Sequence, residues 1–349
     1  MMEYRPLGKT GLKVGVIGFG SGYLYRKSGA EITKLVATAL DRGVNYVDSW
    51  IPNPEAREAI GRALSGRRDR VHVAGHLGVF MNGDQSDVTR EPAAAEQHFN
   101  QMLRELGTDY IDVLMLHNVD KDEDYDRIME GGLLDCARRL RAEGKARFIG
   151  LSGHEAGTTT RAATSGVVDV VMAPVGIAWQ PAGVAESCAA HGVGLVSMKP
   201  FWGGELLQHP YSQLVTPVIA LSYALAQPAV ATVVPGFGSV RELEDSLRYL
   251  GASGAERDFT AAVAAHGTNT RGTCLYCGHC QPCPAGIDIG DVMSVLRSGQ
   301  RGSPYAADRY RAIKVKPSEC SACGACLDRC PQGVAIIDLM QEAVKLFKA

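Results

Sequence analysis

A (β/α)8 barrel spanning residues 1–266, followed by a small and mostly helical domain over residues 267–349, is the architecture the sequence predicts. Two observations lead to it. Eight short apolar runs recur in the first 265 residues, each trailed by a longer amphipathic stretch, and eight of the ten cysteines crowd between Cys274 and Cys330. Alternating strands and helices build parallel sheets, and eight such units close on themselves. An open doubly wound sheet is the rival arrangement. The glycine-rich start Gly15-Val-Ile-Gly18-Phe-Gly20 argues against it, because the G-x-G-x-x-G fingerprint is absent and no helix opens directly after it.

In chain order the expected strands are Val14 to Gly20, Asn45 to Ser49, Val71 to His76, Ile111 to His117, Phe148 to Ser152, Val167 to Ala173, Gly194 to Lys199 and Ala231 to Pro235. Expected helices include Ala30 to Arg42, Glu91 to Leu106 and Asp124 to Glu143, where Leu, Ile, Met and Ala recur at helical spacing among charges. Leu206 to Val240 has no Asp, Glu, Lys or Arg and resembles a membrane span in composition. Gln227-Pro228 and Pro235-Gly236 break it, so it reads as a buried helix followed by a buried strand.

The charge balance is 36 Lys and Arg against 38 Asp and Glu, a net charge of -2, which offers no footprint for nucleic acid or anionic membrane. The N-terminal Met1 to Val14 lacks the apolar core and cleavage site of a signal peptide, so a cytoplasmic location is expected.

The cysteines form two runs, Cys274-x2-Cys277-x2-Cys280-x2-Cys283-Pro284 and Cys320-x2-Cys323-x2-Cys326-x3-Cys330-Pro331. A C-x2-C-x2-C run wraps backbone around one cubane so that three thiolates reach three irons, and a fourth arrives from elsewhere. In two-cluster ferredoxins that fourth cysteine serves the other cluster. The expected sets are Cys274, Cys277, Cys280 and Cys330 for one [4Fe–4S] cluster, and Cys320, Cys323, Cys326 and Cys283 for the second. Structural zinc fits less well, since zinc sites join two knuckles from separate segments. Between the runs, Ile289 to Leu296 is apolar at helical spacing with Asp288 as its cap, as in the helical type of two-cluster ferredoxin.

Barrel chemistry sits at the C-terminal ends of the strands. Those ends carry Asp48, Trp50, His76, His117, Ser152, His154 and Lys199, and the loop after the first strand adds Tyr23 and Tyr25. Any one strand-end histidine has a structural explanation as a loop cap; several on successive strands make a polar mouth.

These residues resemble the aldo-keto reductases, specifically those with a C-terminal ferredoxin-like extension. The likeness runs through Tyr4 to Lys13, Gly43-Val-Asn-Tyr-Val-Asp48-Ser49, Leu116-His117-Asn118, Gly144 to Ser152, Met198-Lys199-Pro200 and Val234-Pro235-Gly236. It implies NADP or NAD lying across the barrel mouth without a Rossmann motif, contacted by Asp48, Ser152, Met198, Lys199, Pro235, Gly236, Ser239 and Arg241. The family's catalytic set is Asp, Tyr, Lys and His. Asp48 and His117 match it, whereas Asn53 stands in the tyrosine slot and His76 in the lysine slot. A carboxamide gives up no proton near neutrality, but an imidazole titrates near pH 6.5, at about the right value.

His76 is therefore expected as proton donor and His117 as the group orienting the substrate oxygen. Trp50, His154, Tyr23 and Tyr25 are expected to line the substrate site. The leading expectation is an iron–sulfur, NAD(P)-dependent oxidoreductase acting on a small carbonyl or alcohol, with a redox protein as partner. Two alternatives stand beside it: a non-catalytic electron-transfer subunit, and a lyase or hydrolase with a divalent metal on Asp48, His76, His117 and His154.

Overall fold

The computed structural model describes residues 1–25, 27–208, 210–266 and 271–347. The chain forms two compact units: Met1–Phe80 with Val88–Asn269, and Met81–Asp87 with Thr270–Ala349. The boundary expected at 266/267 adjoins residues 267–270, which lie outside the described residues. A short segment from within the first 266 residues, Met81–Asp87, groups with the second unit, and no composition signal in the sequence marked it.

The first unit opens with the antiparallel pair β1 (Tyr4–Pro6) and β2 (Lys13–Gly15), then β3 (Phe19–Gly20), α1 (Gly29–Asp41), β4 (Tyr46–Ser49), α2 (Pro54–Leu64) and β5 (His72–Leu77). After β5 come the hairpin strands β6 (Val79–Asn82) and β7 (Gln85–Val88), most of which fall in the Met81–Asp87 segment of the second unit; the first unit resumes with α3 (Pro92–Leu106), β8 (Ile111–Leu116), α4 (Asp122–Glu130) and α5 (Leu133–Ala142). The unit is completed by β9 (Ala146–Ser152), α6 (Ala156–Thr164), β10 (Val170–Pro174), α7 (Val184–His191), β11 (Gly194–Met198), α8 (Pro217–Ala226), β12 (Val230–Val234), α9 (Val240–Leu247) and α10 (Thr260–His266).

Strands β3, β4, β5, β8, β9, β10, β11 and β12 form one parallel sheet in that order. Bridges Ile17↔Val233 and Gly20↔Gly236 join its two ends, closing the barrel. The first expected strand is accordingly divided: Lys13–Gly15 pairs with β1, and only Phe19–Gly20 enters the barrel sheet. The expected helix Asp124 to Glu143 is also two helices. Gly131-Gly132 separates them, with Gly132 at φ 90, a conformation that favours glycine.

Alternation along the strands sorts the side chains. Tyr46, Ala74, Val113, Met115, Val170, Met172, Val196 and Ala231 fill the interior together with Leu7, Leu12 and Val14 from the β1–β2 hairpin region. Their neighbours Val47, Val73, Leu114, Leu151, Val171 and Leu195 pack outward in the larger core with the helices. The interior is tight enough that a Cβ on Gly150 would meet Met115 Sδ at 2.5 Å and the Val170 carbonyl oxygen at 2.9 Å. The charge-free stretch resolves into α8, buried from Ala220 to Leu225, and β12, buried throughout; no helix among the described residues is long and apolar enough to cross a membrane.

The second unit holds α11 (Ile289–Gln300), α12 (Ala306–Ala312), α13 (Ala325–Arg329) and α14 (Ile336–Leu346). Asp288 caps α11 by accepting from the Asp291 amide at 2.9 Å. Ile287, Ile289, Val292, Val295, Leu296, Ile313, Val334, Ile336 and Met340 make its small core.

Helices α2 and α3 are tied by a buried ion pair, Arg57 to Glu105 at 3.0 Å, with side chains 4% and 9% exposed. Glu105→Gln leaves the guanidinium charge without its partner and is expected to cost about 3–5 kcal/mol in denaturant unfolding. A loss under about 1 kcal/mol would show that water reaches and solvates Arg57.

Candidate active site and iron–sulfur cavities

The same alternation that fills the barrel interior places the polar residues. Asp48 stands two residues beyond Tyr46 on β4, His76 two beyond Ala74 on β5, and His117 two beyond Met115 at the end of β8, so each turns inward at the C-terminal mouth. Parallel register sets them at adjoining levels, with Asp48 opposite Ala74 and His76 opposite Met115. All three are nearly fully buried, at 4%, 3% and 4% exposure.

They bond to one another directly. His76 Nε2 lies 2.9 Å from Asp48 Oδ1, and His76 Nδ1 lies 2.8 Å from His117 Nδ1. An ionised carboxylate only accepts, so Nε2 carries a proton toward Asp48, and one proton is shared between the two Nδ1 atoms. Both nitrogens of His76 are thereby engaged. His117 lies two residues past Met115, the partner of His76 on β8, and so stands nearer the mouth. Trp50 stacks on His117 with ring centroids 6.1 Å apart, and the Tyr25 ring meets Trp50 edge-on at 6.0 Å.

A second polar chain occupies the ends of β9 and β11. Asp120 accepts from the His154 amide at 2.6 Å and from His154 Nδ1 at 2.9 Å. His154 Nε2 lies 2.7 Å from Lys199 Nζ, and Trp179 stacks on the imidazole at 5.2 Å. With Nδ1–H given to Asp120, Nε2 is the acceptor and the Lys199 ammonium the donor. Sequence reasoning missed Asp120 and Trp179. Asp120 had a signal, three residues past His117 at a strand end; Trp179 sits in the loop after β10 with none.

The other expected residues have these places. Asn53 caps α2, its side-chain oxygen accepting from the Ala56 amide at 2.9 Å. That contact explains an asparagine ahead of Pro54 and gives it a structural job. Ser152 Oγ accepts from the Asn118 amide at 2.9 Å, which leaves its O–H to donate. Tyr23 packs over Gly236, where a Cβ would meet the ring at 2.3 Å. Ser239 caps α9 through the Glu242 amide, and the Glu242 carboxylate in turn accepts from the Gly238 amide at 2.7 Å. The Arg241 side chain is 92% exposed and faces Asp245 of its own helix at 3.8 Å. Met198 half-buries against the barrel interior, and Pro235 carries a carbonyl that accepts from Gly20.

In the second unit the cysteines surround two cavities. One is lined by Cys274, Cys277, Cys280 and Cys330; the other by Cys283, Cys320, Cys323 and Cys326. Ile289 and Ile336, the first residues of α11 and α14, line both. Each wrapping segment reads C-x-x-C-G-x-C, and the backbone repeats with it. Tyr276 and Ala322 have φ 52 and 54 just before the second cysteine, and Gly278 and Gly324 have φ 76 and 82 just after it. Such left-handed turns aim successive amides into a concavity that suits an anionic centre.

Burial, and then the neighbouring sulfurs of Cys277, Cys274 and Cys330, push the Cys280 thiol far up; burial and the sulfurs of Cys320, Cys283 and Cys323 also raise Cys326. Iron coordination relieves that repulsion by holding each sulfur as thiolate. Among the described residues no three His, Cys, Asp or Glu side chains converge on a single-ion site. Each cysteine quartet lines one of the two cavities, and four thiols apiece fit iron–sulfur ligation. Gln85 supports this wall: its carboxamide accepts from the Cys283 amide at 2.7 Å and donates to the Cys283 carbonyl at 3.3 Å.

Barrel and polar mouth together define an oxidoreductase of the (β/α)8 class, joined to an iron–sulfur domain. The profile described as aldo/keto reductase family matches residues 12–214, and one described as 4Fe-4S dicluster domain matches residues 267–331. The chain belongs to the aldo/keto reductase family. It is 26% identical to L-galactose dehydrogenase of Arabidopsis thaliana over 70% of this chain and 87% of that one, and 23% identical to the uncharacterized oxidoreductase YqkF of Bacillus subtilis over 76% and 96%. An aldo-keto reductase from Bacillus halodurans in its holo form has the same fold, with a TM-score of 0.67 at 24% identity over 77% of this chain and 98% of that one.

The two remaining cysteines, Cys136 and Cys188, lie buried in the barrel unit, where burial raises both thiols and takes Cys188 to about 12. The raised value keeps Cys188 neutral in the fold, whereas an unfolded thiol ionises near about 8.5. This group's contribution to stability is thus complete below about pH 8.5 and declines as pH rises toward 12. Iodoacetamide at pH 8 is expected to leave both cysteines unlabelled until urea unfolds the protein, as read by mass spectrometry. Labelling of either in the native state would contradict the burial.

Proposed function

We propose that this chain is a nicotinamide-dependent oxidoreductase interconverting a small carbonyl compound and its alcohol, with Asp48, His76 and His117 as one proton relay. The observation that carries it is the double engagement of His76, 2.9 Å from Asp48 and 2.8 Å from the Nδ1 of His117. The bound nicotinamide supplies hydride to the carbonyl carbon.

The trio supplies the proton. With one extra proton, His76 is an imidazolium facing Asp48, His117 Nδ1 accepts from it, and His117 Nε2 carries hydrogen. As negative charge grows on the substrate oxygen, His117 Nε2 releases that hydrogen to it, and the shared proton moves from His76 Nδ1 to His117 Nδ1. Both imidazoles end neutral beside the ionised Asp48, so the trio passes from no net charge to one negative charge; alcohol oxidation runs the same shifts backwards. Buried in the mouth, it does the work of the family's missing tyrosine and lysine. His117 is the catalytic group in this reading and His76 the positioning and relaying one. Asn53 keeps only its capping role.

The Ser152 hydroxyl is suited to hold the nicotinamide carboxamide, while Met198, Pro235 and Gly236 offer surface to the extended cofactor. The start of α9 favours NAD over NADP. Its amides already serve the Glu242 carboxylate and the Ser239 hydroxyl, Arg241 reaches outward, and a second anion there meets the charge of Glu242. Trp50 and Tyr25 supply an aromatic wall beside His117. In the second unit, two [4Fe–4S] clusters on the two quartets would exchange single electrons with a redox protein partner.

His117→Gln is expected to lose on the order of 10²–10⁴ in kcat, and His76→Gln, which breaks the link between Asp48 and His117, to lose rate as well. Native turnover in His117→Gln would rule the relay out and move attention to Tyr25. Anaerobic purification should yield about eight iron and eight sulfide per chain; about four of each would show one quartet unused.

A further inference from the structure

The geometry points to a second binding element in the barrel mouth: Lys199, backed by His154 and Asp120, is an oxyanion site, and it takes the carboxylate of a small oxo or hydroxy acid. The step past the general reading is the substrate class. It relies on the relay only for where the reacting oxygen lies.

Three features of this lysine support the assignment. First, its charge has no direct counter-ion. Lys199 Nζ touches the neutral face of an imidazole acceptor at 2.7 Å and lies 5.5 Å from the Trp179 ring centroid, and no carboxylate among the described residues comes within ion-pair distance of it. Asp120 neutralises it only through the intervening ring of His154.

Second, the ammonium is held in place from behind. Asp120 binds both the amide and Nδ1 of His154, which fixes the tautomer so that Nε2 must accept from the lysine. A lysine kept only for packing needs no such support. An ammonium has three N–H groups, and this arrangement directs one of them into the protein.

Third, the backbone of Lys199 is strained. It has φ 56, where a side chain with a Cβ is disfavoured, directly after β11 ends at Met198. A non-glycine residue held there at a barrel mouth is characteristic of side chains placed for a task.

A carboxylate accepts two N–H donors in one plane and pairs with an ammonium of this kind as a charge-assisted hydrogen bond. With the carboxylate on Lys199 and the carbonyl oxygen at His117 Nε2, an oxo acid bridges the two polar chains of the mouth, and its reduction gives the hydroxy acid. The same anionic chemistry also occurs in the diphosphate of a nicotinamide dinucleotide, so the test has to separate the two sources.

Oxamate, an unreactive carboxylate shaped like a short oxo acid, is titrated calorimetrically into the cluster-loaded protein, alongside its neutral counterpart oxamide and NADH. The wild type should bind oxamate at least tenfold more tightly than oxamide. Lys199→Met should lose that preference and Lys199→Arg should keep most of it, and although the family resemblance places the cofactor against this lysine, Lys199→Met should weaken NADH far less than it weakens oxamate. Equal binding of oxamate and oxamide by the wild type overturns the proposal without recourse to any variant. So does a Lys199→Met protein that weakens NADH and spares oxamate, which would assign the lysine to the cofactor. His117→Gln separates the two readings: it should keep the preference for oxamate over oxamide, which Lys199 sets, while losing turnover, so a failed relay and a failed anion site give different results.

Discussion

Side-chain alternation along barrel strands held in parallel register is the constraint from which the active site follows. Once Tyr46, Ala74 and Met115 are buried inside the barrel, Asp48, His76 and His117 must face inward two residues later, at the level where the strands open to the mouth. A slip of one residue on β5 would put His76 among the outward-packed Val73 and Leu77 and break both of its hydrogen bonds. The hydrophobic interior therefore positions the chemistry, and its tight packing, with sulfur and carbonyl oxygen where a Cβ on Gly150 would be, allows little drift in that register.

Buried polar groups at the mouth are arranged in chains, each starting from a carboxylate. Asp48 orders His76 and through it His117; Asp120 orders His154 and through it Lys199. In a low-dielectric site an unpaired imidazole or ammonium is costly, and a carboxylate behind each histidine fixes both its tautomer and its orientation. The two chains share a design and differ at the tip. One ends in imidazole, whose ring nitrogens can both donate and accept, and the other in ammonium, which only donates.

The second unit shows the same economy in a smaller space. A twice-used C-x-x-C-G-x-C segment bends identically both times, with a left-handed residue on either side of its second cysteine. The fourth cysteine of each run, followed by proline, lines the other run's cavity. Every cavity wall thus draws on both ends of the unit. The isoleucines that begin α11 and α14 border both cavities and set apolar side chains against the cysteine sulfurs, with Cys280 buried in one quartet and Cys323 exposed in the other.

The sequence by itself determined the barrel, the helical cysteine domain and the grouping of the cysteines, because all three rest on short-range signals. These are alternating apolar runs, helical spacing, and thiol spacings whose partners are implied by a repeat. It also located Asp48, His76, His117, His154 and Lys199 at strand ends. What tertiary structure decided was who faces whom. Which histidine stands in front, that Asp120 and Trp179 hold His154, that Asn53 is a cap, that Glu242 folds back onto the start of its own helix, and that Gln85 grips the Cys283 backbone are side-chain directions and long-range contacts. No periodicity records them, since they arise only when segments distant in the chain are brought to hydrogen-bonding distance by the packing of the whole unit.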